Sequence, residues 1–374
     1  MRTRIAVFLV IIQSILFLTH WFIYATWAAF RAQPDPPGLT PLQIGVAVLS
    51  VSFLAASLLA YRLTNPLVRG FYRIAAIWLG ALDFLFLATC LLWILYFGAT
   101  IAHLQPDWPR WAAILFAAAL IATLAGAINA RIIRIRKIKI ALPNLPNPWR
   151  GRVAALVSDI HLGHVNGPRF LDRIVKRLQG LKPDIVFIPG DLYDGTAIHS
   201  SSAAHPLEKL TPPLGAFFVT GNHEEFRDPS HYLDAVRATG VRVLENENVS
   251  IDGLQIVGVP DRASANPKQF RTVLDSLSIN RLRPSILLSH SPHALSIPEQ
   301  AGISLQLSGH THGGQMFPFT WFTRRIFRDF TKGLHRHGNL QVFTTTGVGT
   351  WGPPLRLGTD PEIVLIEFRE QEAN

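Results

Sequence analysis

The sequence predicts a bundle of four transmembrane helices followed by a layered α/β domain in which two packed β-sheets are flanked by helices. Three observations support this fold class. Four long apolar stretches occupy the first third of the chain, short β-rich runs alternate with helical segments beyond them, and Asp, Asn or His residues follow many of those runs. We place the transmembrane region at residues 1–133 and the soluble domain at residues 134–374.

The apolar stretches span residues 5–29, 42–60, 74–97 and 111–128. Each has about the 20 residues that a helix needs to cross about 30 Å of hydrocarbon. The joints between them contain residues that end helices and form turns: Pro34, Pro36, Pro37 and Gly38, then Asn65 and Pro66, then Pro106 and Pro109. Four helices in two hairpins is therefore the simplest arrangement.

Positive charge is concentrated around these helices. Residues 1–140 contain 12 Lys and Arg against 3 Asp and Glu, so most of the net charge of +10 lies there. We interpret this charge as membrane topology and not as a nucleic-acid surface, and the positive-inside rule then places both termini and the soluble domain in the cytoplasm. A cleaved signal peptide is the rival interpretation of the first stretch, but the apolar run is too long and lacks a clear cleavage site. The single cysteine, Cys90, excludes an intrachain disulfide and a cysteine-rich metal site.

Asp83 lies well inside a predicted span, where a carboxyl group is costly unless it is paired or neutral. At a rise of about 1.5 Å per residue, it lies near the depth of Gln13 and Ser14. One hypothesis is an interhelical hydrogen bond among these three side chains. The other is a small wet pocket that Asp83 faces.

The soluble domain delivers polar residues at the ends of its predicted strands. VAALV leads to Asp159 and His161, DIVFI to Asp191, AFFV to Asn222 and His223, SILL to His290, and LQL to His310 and His312. Strand ends are a common place for functional sites in α/β sheets, because the strands are rigid while the loops beyond them vary. Helices are predicted at 167–181, 229–239 and 267–277, and further strands at 241–244, 249–251, 254–259, 341–345 and 363–368.

Seven of these residues form a candidate metal site: Asp159, His161, Asp191, Asn222, His290, His310 and His312. Asp159 and His161 are two apart, as are His310 and His312, so each pair points to one face of an extended segment. Asp191 has two carboxylate oxygens and can bridge two cations. Nitrogen and oxygen donors without sulfur suit Mn, Fe or Zn better than Mg or Ca.

The ordered motifs DIH, GDLYD, GNHE, LLSH and GHTHGGQ resemble the signature of the calcineurin-like metallophosphoesterase family, over residues 134–370. The segments that open and close this region resemble the branch of the family with preceding transmembrane helices. The resemblance implies a first metal on Asp159, His161, Asp191 and His312, and a second on Asp191, Asn222, His290 and His310. It also implies a hydroxide between the two metals as nucleophile. His223 would be the general acid, oriented by Asp194, in a hydrolase of phosphomonoesters or phosphodiesters.

The segment at 316–330 mixes aromatic and cationic residues, among them Phe319, Trp321, Phe322, Arg324 and Arg325. Ordinary core is one interpretation. The other is a loop that dips into an anionic leaflet and brings the active site to a lipid-phase or lipid-linked phosphoester. The partners expected on this hypothesis are membrane lipids and a phosphoester substrate, with no nucleic acid.

Two other functions compete with hydrolysis. In the first, the domain is a non-catalytic scaffold that binds metal or senses a ligand while the helices do the biological work. In the second, the protein is a transporter, which is supported only by Asp83 and His20. The complete set of ligand residues, together with His223 and Asp194, favours the hydrolase.

Overall fold

The computed structural model describes residues 2–31 and 40–371. The predicted joint at Pro34, Pro36, Pro37 and Gly38 therefore lies outside the described residues. The chain divides into two compact units, residues 1–128 with 352–355 and residues 129–351 with 356–374. The boundary predicted at residue 133 stays a prediction.

Among its described residues, the first unit contains four apolar helices, each long enough to cross a membrane: α1 at Arg2–Phe30, α2 at Pro41–Ala60, α3 at Pro66–Ile101 and α4 at Trp108–Asn129. The third is longer than the predicted span at 74–97. Pro66 occupies its first turn, and the Asn65 side chain accepts a hydrogen bond from the amide of Val68 at 2.9 Å. Proline suits the first turn of a helix and asparagine caps a helix start. Asn65 and Pro66 therefore begin α3 and do not form a joint before a helix that starts at residue 74.

Polar side chains link helices within this unit. Trp78 Nε1 donates to His20 Nε2 at 2.8 Å. Gln13 Nε2 donates to the carbonyl of Ser50 at 3.0 Å, and no bond to Asp83 is found among the described residues. Within the part of the chain that the structure describes, Oδ2 of Asp83 is buried and has no hydrogen-bond partner. The hypothesis of a bond between Asp83 and Gln13 is wrong for this structure.

The second unit begins with a six-stranded sheet in the order β1-β12-β2-β3-β4-β5. Its strands are β1 at Arg134–Leu142, β2 at Val153–Leu156, β3 at Ile185–Pro189, β4 at Ala216–Val219, β5 at Arg242–Val243 and β12 at Glu362–Glu370. Strands β2, β3, β4 and β5 run parallel. Parallel strands end at the same edge of the sheet, so the loops after β2, β3 and β4 meet there.

A second six-stranded sheet has the order β10-β11-β9-β8-β7-β6. Its strands are β6 at Glu247–Ile251, β7 at Leu254–Gly258, β8 at Ser285–Leu288, β9 at Leu305–Ser308, β10 at Gly333–His337 and β11 at Leu340–Thr344. Strands β7, β8, β9 and β11 run parallel. The loops after β8 and β9 are therefore neighbours as well.

The helices of this unit are α5 at Pro168–Leu181, α6 at Ser200–Ala204, α7 at Ser230–Arg237, α8 at Asp261–Ser264, α9 at Pro267–Ser276, α10 at Ser296–Ala301 and α11 at Phe319–Phe327. The first residue of α5 and of α9 is a proline, as the sequence predicts. Asn266 caps α9 by accepting from the amides of Lys268 and Gln269.

The core of the second unit has three layers of buried apolar side chains. The middle layer joins the two sheets through Leu156, Phe187, Val219, Ile256, Leu288, Leu307 and Phe343. One outer layer packs α5 and α7 against the first sheet, and the other packs α9 and α10 against the second. Two packed sheets with helices outside, preceded by four apolar helices, confirm the predicted fold class.

Candidate metal centre

The seven candidate ligands all follow the carboxyl ends of parallel strands β2, β3, β4, β8 and β9. Five of them have a left-handed backbone, with φ of 56° at Asp159, 51° at His161, 53° at Asp191, 69° at His310 and 49° at His312. Residues other than glycine rarely adopt this conformation, which costs about 1–3 kcal/mol each. Such strain persists only where the surrounding structure fixes it, and it is typical of functional sites.

Asp159, His161 and His312 form one group of ligand atoms. Nε2 of His161 lies 2.9 Å from Nε2 of His312, which lies 3.5 Å from Oδ1 of Asp159. All three side chains are buried. Two ring nitrogens at this distance cannot both carry a proton, whereas a cation shared between them satisfies both lone pairs. The group therefore fits a metal ion.

Asn222, His290 and His310 form a second group. Nδ1 of His310 lies 3.0 Å from Oδ1 of Asn222 and 3.3 Å from Nε2 of His290. Nδ1 of His290 donates to the carbonyl of Pro189 at 2.8 Å. Because a carbonyl only accepts, this bond places the proton on Nδ1 and aims Nε2 at the site, as in metal-binding histidines.

Asp191 lies between the two groups. Its Oδ2 is 3.2 Å from Nε2 of His290 in the second group and 3.7 Å from Nε2 of His161 in the first. Asp191 belongs to two of the three residue clusters whose ligand atoms lie within 4.8 Å of one another. The structure thus brings all seven predicted residues together and places this carboxylate between the two groups.

Burial keeps most of the imidazoles neutral. It lowers the pKa of His310 to about 3 and lowers the pKa of His161 and of His312 well below the usual value. Burial alone would also lower the pKa of His290, but the adjacent Asp191 carboxylate raises it well above the usual value. The raised pKa favours a second proton on His290, at Nε2. A cation bound by Nε2 would replace this proton, because metal binding to histidine releases protons.

Glu224 fixes the main chain around the second group, a role that the sequence did not predict. Its carboxylate accepts hydrogen bonds from the amides of Asp191, Tyr193 and Gly221 at 3.0, 2.8 and 2.7 Å. The side chain is fully buried. One carboxylate therefore ties the loop after β3 to the loop after β4. Its position inside the GNHE motif was the signal that could have identified it.

Arg356 fixes the first group and was also missed. Its guanidinium is fully buried and donates to the carbonyl of His312 at 2.9 Å and to the carbonyl of Thr346 at 2.8 Å. A further bond joins its Nε to the carbonyl of Gly349 at 3.2 Å, and its Nη2 lies 3.0 Å from Nδ1 of His312. Arg356 therefore positions His312. Most of its partners are main-chain carbonyls, which a sequence pattern does not reveal.

His223 contacts the site, and Asp194 holds it through a main-chain atom. Nδ1 of His223 donates to the main-chain carbonyl of Asp194 at 2.9 Å, and Nε2 lies 3.9 Å from Oδ2 of Asp191. The carboxylate of Asp194 instead accepts from the amide of Thr196 at 2.8 Å and from its hydroxyl at 2.5 Å. Asp194 thus orients His223 through its backbone, and its carboxylate holds the turn.

Gly221 allows the loops to approach one another closely. A Cβ at this position would lie 2.2 Å from Oδ1 and 2.6 Å from the amide nitrogen of Asp191. Gly314 of the GHTHGGQ motif has φ of +85°, and a Cβ there would lie 2.4 Å from Cα of Thr320. Gly314 therefore makes room for the start of α11.

The segment predicted as a loop at Phe319, Trp321, Phe322, Arg324 and Arg325 is a helix, α11. Its residues Phe319, Phe322 and Ile326 recur at the three- to four-residue spacing of one helix face. None of its residues is buried, and about half of the Trp321 side chain is exposed. The aromatic residues are therefore not ordinary core.

The family model and the relatives that match this chain all indicate the same family. Residues 153–314 match the model of the calcineurin-like phosphoesterases. The chain is 34% identical over 261 residues to a transmembrane protein with metallophosphoesterase domain from Danio rerio, a match that covers 66% of this chain and 60% of that protein. It is 30% identical over 239 residues to an uncharacterized metallophosphoesterase of Campylobacter jejuni, with 63% of each chain covered. The chain thus spans about 60% of the length of these two relatives.

A shorter relative is covered almost completely. An uncharacterized metallophosphoesterase of Aquifex aeolicus is 31% identical over 259 residues, which cover 67% of this chain and 98% of that protein. Residues 153–314, which match the family model, contain all seven candidate ligands.

Proposed function

Because the chain belongs to the calcineurin-like metallophosphoesterases, a metal-dependent family, we propose that it is a membrane-bound hydrolase of phosphoesters that uses two metal ions. The observation that carries this proposal is the position of Asp191. One oxygen of its carboxylate lies within 3.7 Å of a ring nitrogen in each of the two ligand groups.

The proposed ligands of the first ion are Asp159, His161, Asp191 and His312, and those of the second are Asp191, Asn222, His290 and His310. When bound, two cations activate a shared water as nucleophile, orient the phosphate and stabilise charge on the attacking and leaving oxygens. Mn, Fe and Zn fit this set of nitrogen and oxygen donors.

His223 is the proposed general acid. Its Nδ1 is committed to the Asp194 carbonyl, so Nε2 is the nitrogen that faces Asp191 and the reacting phosphate. Water adds to phosphorus and gives up a proton to solvent, while the bond between phosphorus and the leaving oxygen breaks with its electron pair on that oxygen. As this bond breaks, the oxygen takes the proton from Nε2, so that the group leaves as a neutral alcohol.

The proposed substrate is a lipid-phase or lipid-linked phosphoester, and α11 supports this choice. About half of each of the side chains of Phe319, Trp321 and Phe322 is exposed, and Arg324 and Arg325 lie on the same short helix. Apolar and cationic side chains together suit a helix at an anionic leaflet. The ring of Phe327, the last residue of α11, lies 5.8 Å from that of His310, so the helix ends beside the candidate metal centre.

The proposed orientation places both termini and the catalytic domain in the cytoplasm. It is supported by the Lys and Arg residues that flank the apolar helices on one side of the predicted topology. Membrane lipids and the phosphoester are the proposed partners, and we propose no role for nucleic acid.

Hydrolysis is tested with full-length protein in detergent and a chromogenic phosphodiester, before and after chelation of metal. We expect turnover that chelation abolishes and that Mn, Fe or Zn restores, and we expect Asp191→Asn to lose it and His223→Ala to lower it. Wild-type protein that binds metal but turns over no phosphoester would instead support a ligand-sensing scaffold.

The lipid substrate is tested by changing Phe319, Trp321 and Phe322 together to Ser. Hydrolysis of a phosphoester in anionic vesicles should fall, while turnover of a soluble aryl phosphate persists. Leu282→Ser, which alters another exposed apolar side chain, serves as the control. Equal losses on both substrates would contradict the proposal.

A further inference from the structure

Two exposed aromatic rings lie beside His223. The ring centroid of Phe226 is 4.6 Å from that of His223, and the ring centroid of Trp351 is 5.9 Å from it. His223 itself is buried, yet Phe226 is 61% exposed and Trp351 is 58% exposed. Large aromatic side chains are usually covered, so two exposed rings at one catalytic candidate leave apolar surface available for a ligand.

The main chain of Trp351 is held from both sides by Gln315. The side-chain oxygen of Gln315 accepts from the Trp351 amide at 2.9 Å, and its side-chain nitrogen donates to the Trp351 carbonyl at 2.9 Å. Gln315 is buried and belongs to the same GHTHGGQ segment as His310 and His312. The position of Trp351 is therefore fixed relative to the candidate metal ligands.

Phe226 is anchored to the opposite part of the site. It ends the short helical turn Glu224–Phe226, whose first residue binds the amides of Asp191 and Gly221. Both rings thus belong to segments that are tied to the metal centre by buried hydrogen bonds. A pre-positioned ring loses little conformational freedom when a ligand packs against it, which favours binding.

We propose that Phe226 and Trp351 form a subsite for the leaving group and select phosphoesters whose leaving group is planar and apolar. This inference rests on the proposed hydrolase function, in which His223 gives its proton to the leaving oxygen. That oxygen must come within about 2.6–3.2 Å of Nε2 of His223. The organic group bonded to the same oxygen then lies beside the two rings, where a planar apolar group gains offset or edge-on aromatic contact.

The test separates binding from turnover by using two phosphonates that cannot be hydrolysed at the P–C bond. Benzylphosphonate presents an aromatic ring where the leaving group would lie, and methylphosphonate presents none. Calorimetry on the full-length, metal-loaded protein gives the dissociation constant of each. In Trp351→Ala and in Phe226→Ala, that of benzylphosphonate should rise about tenfold, the order expected for a lost aromatic pair.

Methylphosphonate should bind both variants as it binds the wild type, and Trp351→Phe should restore most of the affinity for benzylphosphonate. Leu282→Ala is the matched control, because it removes an exposed apolar side chain elsewhere. A parallel loss of affinity for both phosphonates would overturn the subsite and assign the rings a structural role. So would unchanged binding of benzylphosphonate by both alanine variants.

Turnover distinguishes failure of this inference from failure of the proposed function. With phenyl phosphate and ethyl phosphate, each variant is compared with the wild type on the same substrate, since the two leaving groups differ in intrinsic reactivity. The KM for phenyl phosphate should rise about tenfold in Trp351→Ala and that for ethyl phosphate should not. If the wild type hydrolyses neither compound nor the chromogenic phosphodiester, the hydrolase proposal fails, while the phosphonate affinities still decide whether the subsite exists.

Discussion

Replacing Arg356 should loosen the segment that positions His312. The buried guanidinium satisfies three main-chain carbonyls, those of His312, Thr346 and Gly349. The His312 carbonyl also accepts from the Gln315 amide at 3.1 Å, so among the described hydrogen bonds Arg356→Ala removes the partner of the Thr346 and Gly349 carbonyls. At about 1 kcal/mol or more for each buried unsatisfied group, the loss is at least about 2 kcal/mol. For a domain of this size, about 2–4 °C per kcal/mol predicts a fall in Tm of about 4–8 °C.

Thermal unfolding of full-length protein in detergent, followed together with metal content, measures this effect. Arg356→Lys should lie between the wild type and Arg356→Ala, because an ammonium lacks the planar fork that reaches several carbonyls. Arg242→Ala is the control, since Arg242 is exposed and pairs only with Glu247 among the hydrogen bonds and salt bridges described. It should change stability by less than about 0.5 kcal/mol. An Arg356→Ala protein that melts within about 2 °C of the wild type and keeps its metal would refute the reasoning.

The remaining predictions concern the catalytic histidine, the turn beside it and the effect of acid. His223→Ala should lower kcat for an alkyl phosphoester about 10²- to 10⁴-fold, and the loss should shrink with p-nitrophenol as leaving group because it needs no proton; an equal loss on both would exclude general acid catalysis. Asp194→Asn should lower kcat much less than His223→Ala, since His223 binds the Asp194 carbonyl while the carboxylate binds Thr196; similar losses in steady-state assays would contradict this. Burial lowers the pKa of His310 to about 3 in the folded protein, below its usual value of 6.5. As the pH falls from about 6.5 toward 3, the unfolded chain takes up a proton at this residue before the folded protein does, so the metal-free protein loses stability. The Tm of the metal-free wild type should therefore fall relative to that of His310→Gln between pH 6.5 and 4, and a constant difference would count against the shift.

The sequence predicted the parts of the fold that depend on local patterns. The strands before Asp159, Asp191 and His290 are short apolar runs bounded by turn residues, and they appear where the pattern indicated. The polar residues that follow each of these runs were enough to predict a shared site at the strand ends. Helix α11 was missed although its apolar residues have helical spacing. The segment was interpreted from its mixture of aromatic and arginine residues and not from their spacing.

The parts that the sequence did not predict depend on main-chain partners from distant segments. Glu224 binds amides in two loops, Arg356 binds carbonyls around His312, and Gln315 holds the backbone of Trp351. Such contacts have no spacing rule, because the partner is a peptide group present in every residue. The length of α3 could have been predicted, since Asn65 and Pro66 together form a helix start.

The central claim is that the carboxylate of Asp191 is shared by two metal ions. The most direct measurement is the metal content per chain of purified full-length protein, by elemental analysis, in the wild type and in Asp191→Asn. The account predicts two tightly bound ions in the wild type and the loss of at least one in the variant, whose amide has a single ligand oxygen. One ion or none in the wild type, or two ions held equally well by Asp191→Asn, would contradict it.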